Sequence, residues 1–183
     1  MGSPYFSLLV EDRAHEQFVS RALEHWGVPK QRIRCEPYPR GGGSGEQFVR
    51  ESLAKFVQAI RAATSSKFLI VVADADSGTV SERHAQLNGQ LASESLPLVG
   101  ASDPVVLLIP KRAVETWLVQ VLSPPADEAT DYHHHFDGTS TAAACKESAI
   151  KLEAWLVAGG AIGLSSLDAA RPDLLRVRTA AKA

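Results

Sequence analysis

The sequence has little of what several protein classes require. Its two cysteines, Cys35 and Cys145, stand apart without a CxxC pair. This argues against a disulfide framework and against a cysteine-type zinc site, and it suits a reducing compartment. No stretch approaches the roughly 18–20 apolar residues of a membrane-spanning helix, and the N-terminus leads into a short predicted strand rather than a secretory signal. We therefore expect a cytoplasmic protein.

An excess of basic residues is also missing. The chain has 19 Lys and Arg residues and 21 Asp and Glu residues, which gives a formal net charge of −2. Such a chain does not coat nucleic acid by charge alone, so any contact with DNA or RNA would be local, metal-assisted or shared with a partner. The 183 residues suffice for one domain with a substantial core. We predict an α/β domain over 4–122, with a loop and helical C-terminal extension over 123–183 packed on the same domain.

The chain does have a regular alternation of apolar strands and amphipathic helices. Strands are predicted at 5–10, 32–36, 68–74 and 104–109. Helices are predicted at 13–26, 46–60, 80–94, 113–122 and 141–157, followed by short helical turns over 164–176 and a frayed end. The order β-α-β-α-β-α-β predicts a three-layer, Rossmann-like α/β fold with a four-stranded, mainly parallel sheet.

Acidic residues follow three of the four predicted strands. Glu11 follows the first strand, Asp74 and Asp76 end the third, and Glu115 lies about one turn beyond the fourth. Because ligands of parallel sheets sit at the carboxyl ends of the strands, we expect these acids to share one edge. Four carboxylates there favour a bound cation such as Mg²⁺ or Mn²⁺. The alternative is that they cap turns and helix starts in solvent.

Three further segments carry candidate ligands. The glycine-rich loop at 40–45 precedes a helix, so its N–H groups, with Arg40 and Ser44, are candidates for phosphate or nucleic-acid binding. Lys111 lies beside the acidic edge and is a second candidate for a backbone phosphate. The three histidines at 133–135, with Asp131 and Asp137, favour a solvated loop over a transition-metal site.

Several of these residues together resemble the TOPRIM fold. The resemblance rests on Val10-Glu11, on Asp74-Ala75-Asp76, and on Ile109-Pro110 followed by the segment from Glu115 to Trp117. It covers roughly 5–122 and is closest to small TOPRIM-like proteins related to the nuclease half of OLD-type (overcoming lysogenisation defect) proteins. Asp12 stands where that family usually has Gly.

The resemblance implies a function and a set of site residues. Glu11, Asp74 and Asp76 would be catalytic and would bind the metal, and Glu115 would be a further ligand. His15, where OLD-type nucleases often have another acid, and its neighbour Glu16 would face the site or a second metal. The expected protein is a Mg²⁺- or Mn²⁺-dependent nuclease or related phosphoryl-transfer enzyme, with any ATPase as a separate partner.

Two other functions and the oligomeric state stay open at this point. A non-catalytic TOPRIM-like binding subunit would use the same carboxylates structurally. A phospho-receiver signalling domain would phosphorylate Asp74, although no Met-Pro turn follows that residue. A homodimer is compatible with the sequence.

Overall fold

Four parallel strands form the centre of the molecule. The computed structural model describes residues 4–38, 44–136 and 138–183, and of residues 138 and 139 it describes the backbone only. The strands are β1 (Tyr5–Val10), β2 (Ile33–Cys35), β3 (Lys67–Val72) and β4 (Val105–Leu108), in the order β2-β1-β3-β4. Every neighbouring pair is parallel. The predicted α/β class with a four-stranded sheet is therefore confirmed.

Six helices accompany the sheet in the described part of the chain. They are α1 (Arg13–His25), α2 (Gly45–Arg61), α3 (Val80–Ser93), α4 (Val114–Leu122), α5 (Gly138–Ala158) and α6 (Ser165–Ala181). The first five lie where the sequence predicts helices. None of the six, within residues 4–38, 44–136 and 138–183, has the length and apolar character needed to cross a membrane.

The prediction for the C-terminus is wrong. Instead of short turns and a frayed end, α6 is one continuous helix of 17 residues with Pro172 inside it. Proline removes one backbone hydrogen bond and is costly within a helix. A row of buried side chains on the face that packs against the core offsets that cost: Leu167, Ala170, Leu174, Val177 and Ala181.

The strands alternate between two apolar layers. Side chains such as Leu8, Ile70 and Val106 pack with α1, α4, α5 and α6 on one face. Leu9, Val71 and their neighbours in β4 pack with α2 and α3 on the other face. Strands that are apolar on both faces are typical of a covered parallel sheet. The sheet is thus the middle of three layers.

Helix caps fix where the chain turns away from the sheet. The Asp12 carboxylate accepts a hydrogen bond of 2.9 Å from the His15 backbone N–H and starts α1. Gly27, with φ 96°, follows the end of that helix. Thr79 and Glu82 form a capping box at the start of α3. Helix α1 therefore begins almost directly after β1.

The strand order reverses between β1 and β3. The chain passes from β1 outward to β2, then crosses back to β3 and continues to β4. At such a switch point the connections leave toward opposite faces, and a crevice opens outside the carboxyl ends of the two strands. In this protein that crevice lies between Glu11 and Asp74.

Candidate metal centre

Glu11, His15 and Asp74 meet at the switch point of the sheet. One ligand atom from each lies within 4.8 Å of the others. His15 Nε2 is 2.9 Å from Asp74 Oδ1, and both side chains are buried, at 1% and 4% exposure. Because His15 is four residues after Glu11, the first turn of α1 returns it to the end of β1. The three side chains form what we call the acid–histidine cluster.

Burial and mutual charge set the protonation of the cluster. Burial raises the pKa of Glu11 to about 8, with the His15 charge opposing this effect and Asp74 adding to it. Burial alone would lower the pKa of His15, but the charge and hydrogen bond of Asp74 raise it to about 10. In the absence of a metal, these pKa values favour a neutral Glu11 and a charged His15 near neutral pH.

Two atoms of the cluster have no hydrogen-bond partner among the described residues. They are Glu11 Oε1 and His15 Nδ1, and both are buried. Buried polar atoms are almost always satisfied, so the unsatisfied Glu11 oxygen indicates room for a ligand, whereas His15 Nδ1 has Asp12 Oδ1 at 3.6 Å. Carboxylate oxygens suit hard divalent ions and imidazole suits several first-row metals. The residues present thus fit a divalent cation.

Asp76 lies beside the cluster and not inside it. Its side chain is 56% exposed, and Arg83 Nη2 is 3.4 Å from its Oδ2 atom. The residue has φ 51°, a left-handed conformation that Asp tolerates better than most residues. Burial and the charge of Asp74 raise the pKa of Asp76, while Arg83 lowers it. The structure therefore separates the two acids of the predicted Asp-x-Asp pair.

Glu115 is buried near the same edge but outside the cluster. It stands in the first turn of α4 at 6% exposure. Burial raises its pKa, with Asp12 adding to this effect and His15 and His133 opposing it. Glu115 therefore interacts electrostatically with Asp12 and His15 without belonging to the cluster.

The remaining predicted residues have other partners. Glu16 accepts a hydrogen bond of 2.8 Å from the Tyr38 hydroxyl. Ser44 Oγ caps α2 by accepting from the Gln47 N–H at 3.2 Å. Lys111 donates to the backbone carbonyls of Asp76 at 3.3 Å and Gly78 at 2.5 Å. Arg40 lies outside the described residues, as do most of the glycine-rich loop and Asp137.

The predicted exposure of the three histidines is confirmed. His133 Nδ1 is 2.9 Å from Asp131 Oδ1. Burial would lower the pKa of His133, but Asp131, Glu115 and Asp74 raise it. His133 therefore interacts electrostatically with Glu115 and Asp74.

Two residues that the sequence reasoning missed adjoin the cluster. A Cβ on Gly45 would lie 2.2 Å from the Glu11 carbonyl oxygen, so the start of α2 rests directly on the backbone of Glu11. Arg83 is 9% exposed and donates to Glu46 at 2.6 Å. The glycine-rich stretch could have revealed Gly45 as a close contact. A single arginine within a polar helix gave no comparable indication.

Comparison of the chain with protein-family models, curated proteins and solved structures finds no match in any of the three. The resemblance to TOPRIM-fold proteins therefore stays a prediction that rests on the residues quoted above. The acid–histidine cluster and its surroundings carry the functional argument.

Proposed function

We propose that this protein is a divalent-metal-dependent phosphodiesterase that acts on nucleic acid. The observation that carries the proposal is the acid–histidine cluster, with an unsatisfied buried oxygen on Glu11, at the switch point of a parallel sheet. Its two carboxylates and one imidazole suit Mg²⁺ or Mn²⁺, with the nitrogen favouring Mn²⁺. A bound ion of this kind acts as a Lewis acid and lowers the pKa of a bound water.

The surroundings of the cluster favour an anionic substrate. Helix α2 begins against Glu11, and the free N–H groups of a helix start attract phosphate oxygens. Arg83, which is buried and donates to Glu46 in the first turn of α2, adds a permanent positive charge. These features support phosphate as the group that approaches the metal, and the TOPRIM resemblance supports a phosphodiester in DNA or RNA.

Under this proposal, the residues in and around the cluster have distinct roles. Glu11, His15 and Asp74 hold the ion, for which His15 must give up the proton that it shares with Asp74. The Asp12 cap fixes His15 in the first turn of α1. Lys111 holds the carbonyls of the loop that follows Asp74 and so keeps that loop in place.

Cleavage assays test the proposal. Purified protein is incubated with single-stranded DNA, duplex DNA and RNA in Mn²⁺, in Mg²⁺ and in EDTA. We expect cleavage in metal that EDTA, Glu11→Gln and Asp74→Asn abolish. Glu94→Gln, an exposed carboxylate at the end of α3, is the matched control and should cleave normally. Absence of cleavage of all three substrates, or full activity in Asp74→Asn, contradicts the proposal.

One observation favours a second candidate, a non-catalytic binding subunit. The His15–Asp74 pair is 2.9 Å long and neutralises its own charge without a metal. Such a pair can serve a purely structural role. Calorimetry distinguishes the two, because a structural pair gives no heat of binding with Mn²⁺.

The phospho-receiver alternative is less well supported. A phosphoryl donor has to reach the acceptor carboxylate, and Asp74 is 4% exposed and bonded to His15. Labelling of Asp74 by acetyl phosphate would revive this alternative. A separate ATPase partner and a homodimer stay predictions.

A further inference from the structure

Arg83 joins two carboxylates that flank the acid–histidine cluster. Its Nη1 atom donates to Glu46 at 2.6 Å and to Gln86 at 2.7 Å, and its Nη2 atom is 3.4 Å from Asp76. Glu46 stands in the first turn of α2, and Asp76 belongs to the loop after β3. The guanidinium thus bridges the helix start that contacts Glu11 and the loop that carries Asp74.

Arg83 also adjoins the cluster itself. Arg83 contacts Glu46, whose neighbour Gly45 lies against the Glu11 backbone, and it contacts Asp76, two residues after Asp74. One cation therefore stands between the helix start that packs on Glu11 and the acid that lies outside the cluster. A second divalent ion in a two-metal centre would act on the same carboxylates.

We propose that Arg83 takes the place of a second metal ion, so that the centre binds one divalent cation. This inference rests on the proposed function and assigns the second positive charge of the site to a side chain. Arginine stays charged at all accessible pH values and carries five N–H donors. Asp76 is then a partner of Arg83 and not a ligand of the ion.

The arrangement has a chemical consequence for phosphoryl transfer. A two-metal centre places a cation at both the attacking and the leaving oxygen. In the proposed centre, the Arg83 guanidinium would fill the role of one of these two cations, and its planar donors match phosphate oxygens. Because Arg83 is already bound to Glu46 and Gln86, its orientation is fixed before a substrate arrives.

Counting the bound ions tests the inference. Mn²⁺ is titrated into the full chain and followed by calorimetry and by electron paramagnetic resonance of the free ion. We expect one Mn²⁺ in the wild type and two in Arg83→Met, which removes the charge and frees Asp76 and Glu46. Glu46→Gln is the matched control: it loses the charge pair between α2 and α3 but keeps the arginine, so it should bind one.

Asp76→Asn keeps the inference testable if Arg83→Met does not fold. With Arg83 in place, Asp76→Asn should change the Mn²⁺ affinity by less than about tenfold, whereas Asp74→Asn should lower it by more than about 100-fold. Circular dichroism checks that each variant is folded.

The outcomes separate this inference from the proposed function. Two ions in the wild type, one ion in a folded Arg83→Met, two ions in Glu46→Gln, or loss of binding in Asp76→Asn would each overturn the role of Arg83. No Mn²⁺ in the wild type would instead remove the proposed function on which the inference rests.

Discussion

Gly45 offers the sharpest perturbation of the site that avoids its ligands. A Cβ at this position would lie 2.2 Å from the Glu11 oxygen, 2.8 Å from its carbonyl carbon and 2.9 Å from its Cα. Favourable contacts need about 3.5 Å, so Gly45→Ala has to separate α2 from β1 by on the order of 1 Å. All three contacts are to backbone, and no side-chain rotation can relieve them.

The expected cost follows from that geometry. Overpacking of this kind costs about 1–3 kcal/mol, against which the helix propensity of alanine returns about 0.5–1 kcal/mol. For a chain of this size, each kcal/mol lowers the melting temperature by about 2–4 °C. Glu11 also moves relative to His15 and Asp74, so we expect the Mn²⁺ affinity to fall by about 10–100-fold.

Thermal unfolding in EDTA and Mn²⁺ calorimetry measure the two effects. Gly89→Ala is the matched control, because Gly89 lies inside α3 and a Cβ there meets nothing within 4 Å. That change should stabilise the protein by about 0.5–1 kcal/mol and leave metal binding unchanged. Equal melting temperatures and equal Mn²⁺ affinities of Gly45→Ala and Gly89→Ala would refute the close contact between α2 and Glu11.

The remaining predictions concern the charges of the cluster. Folding raises the pKa of Glu11 from 4.5 to about 8 and of His15 from 6.5 to about 10. The folded state therefore holds more protons, and in EDTA the stability that these groups contribute should fall as the pH rises from about 5 to 10. The melting temperature should fall less between pH 5 and 8 in Glu11→Gln than in the wild type. Identical pH profiles of the two proteins would contradict this prediction. Asp74→Ala should cost about 3–5 kcal/mol by chemical denaturation, since it strands a buried imidazolium, whereas Asp76→Asn should cost less than about 1 kcal/mol. Equal losses of unfolding free energy in Asp74→Ala and Asp76→Asn would refute the difference in burial between the two carboxylates.

Much of the fold is predictable from the sequence because its elements have local causes. The apolar run that ends at Asp74 needs cover on both faces, which only a sheet between helix layers provides. The caps at Asp12 and Thr79 involve residues within one turn of each other. The continuity of α6 was not predictable in this way, because its buried face depends on the layer against which it packs.

The candidate site is predictable only to the level of the sheet edge. Strand order and the rule for carboxyl ends place Glu11 and Asp74 in one crevice. Which acid turns inward depends on side-chain contacts that the strand pattern does not contain: Asp76 pairs with Arg83 of α3, and the first turn of α1 brings His15 to Asp74, 59 residues further along the chain. Arg83 lies only seven residues after Asp76, but nothing in the polar sequence of α3 marks it as the partner of that acid.

Titration of the metal-free protein with Mn²⁺ tests the central claim most directly. Calorimetry at pH 8 should show binding in the wild type that is weakened by more than about 100-fold in Glu11→Gln, His15→Ala and Asp74→Asn. The exposed-carboxylate control Glu94→Gln should bind like the wild type. No binding in the wild type, or binding that survives all three cluster substitutions, would contradict the assignment of Glu11, His15 and Asp74 as the metal centre.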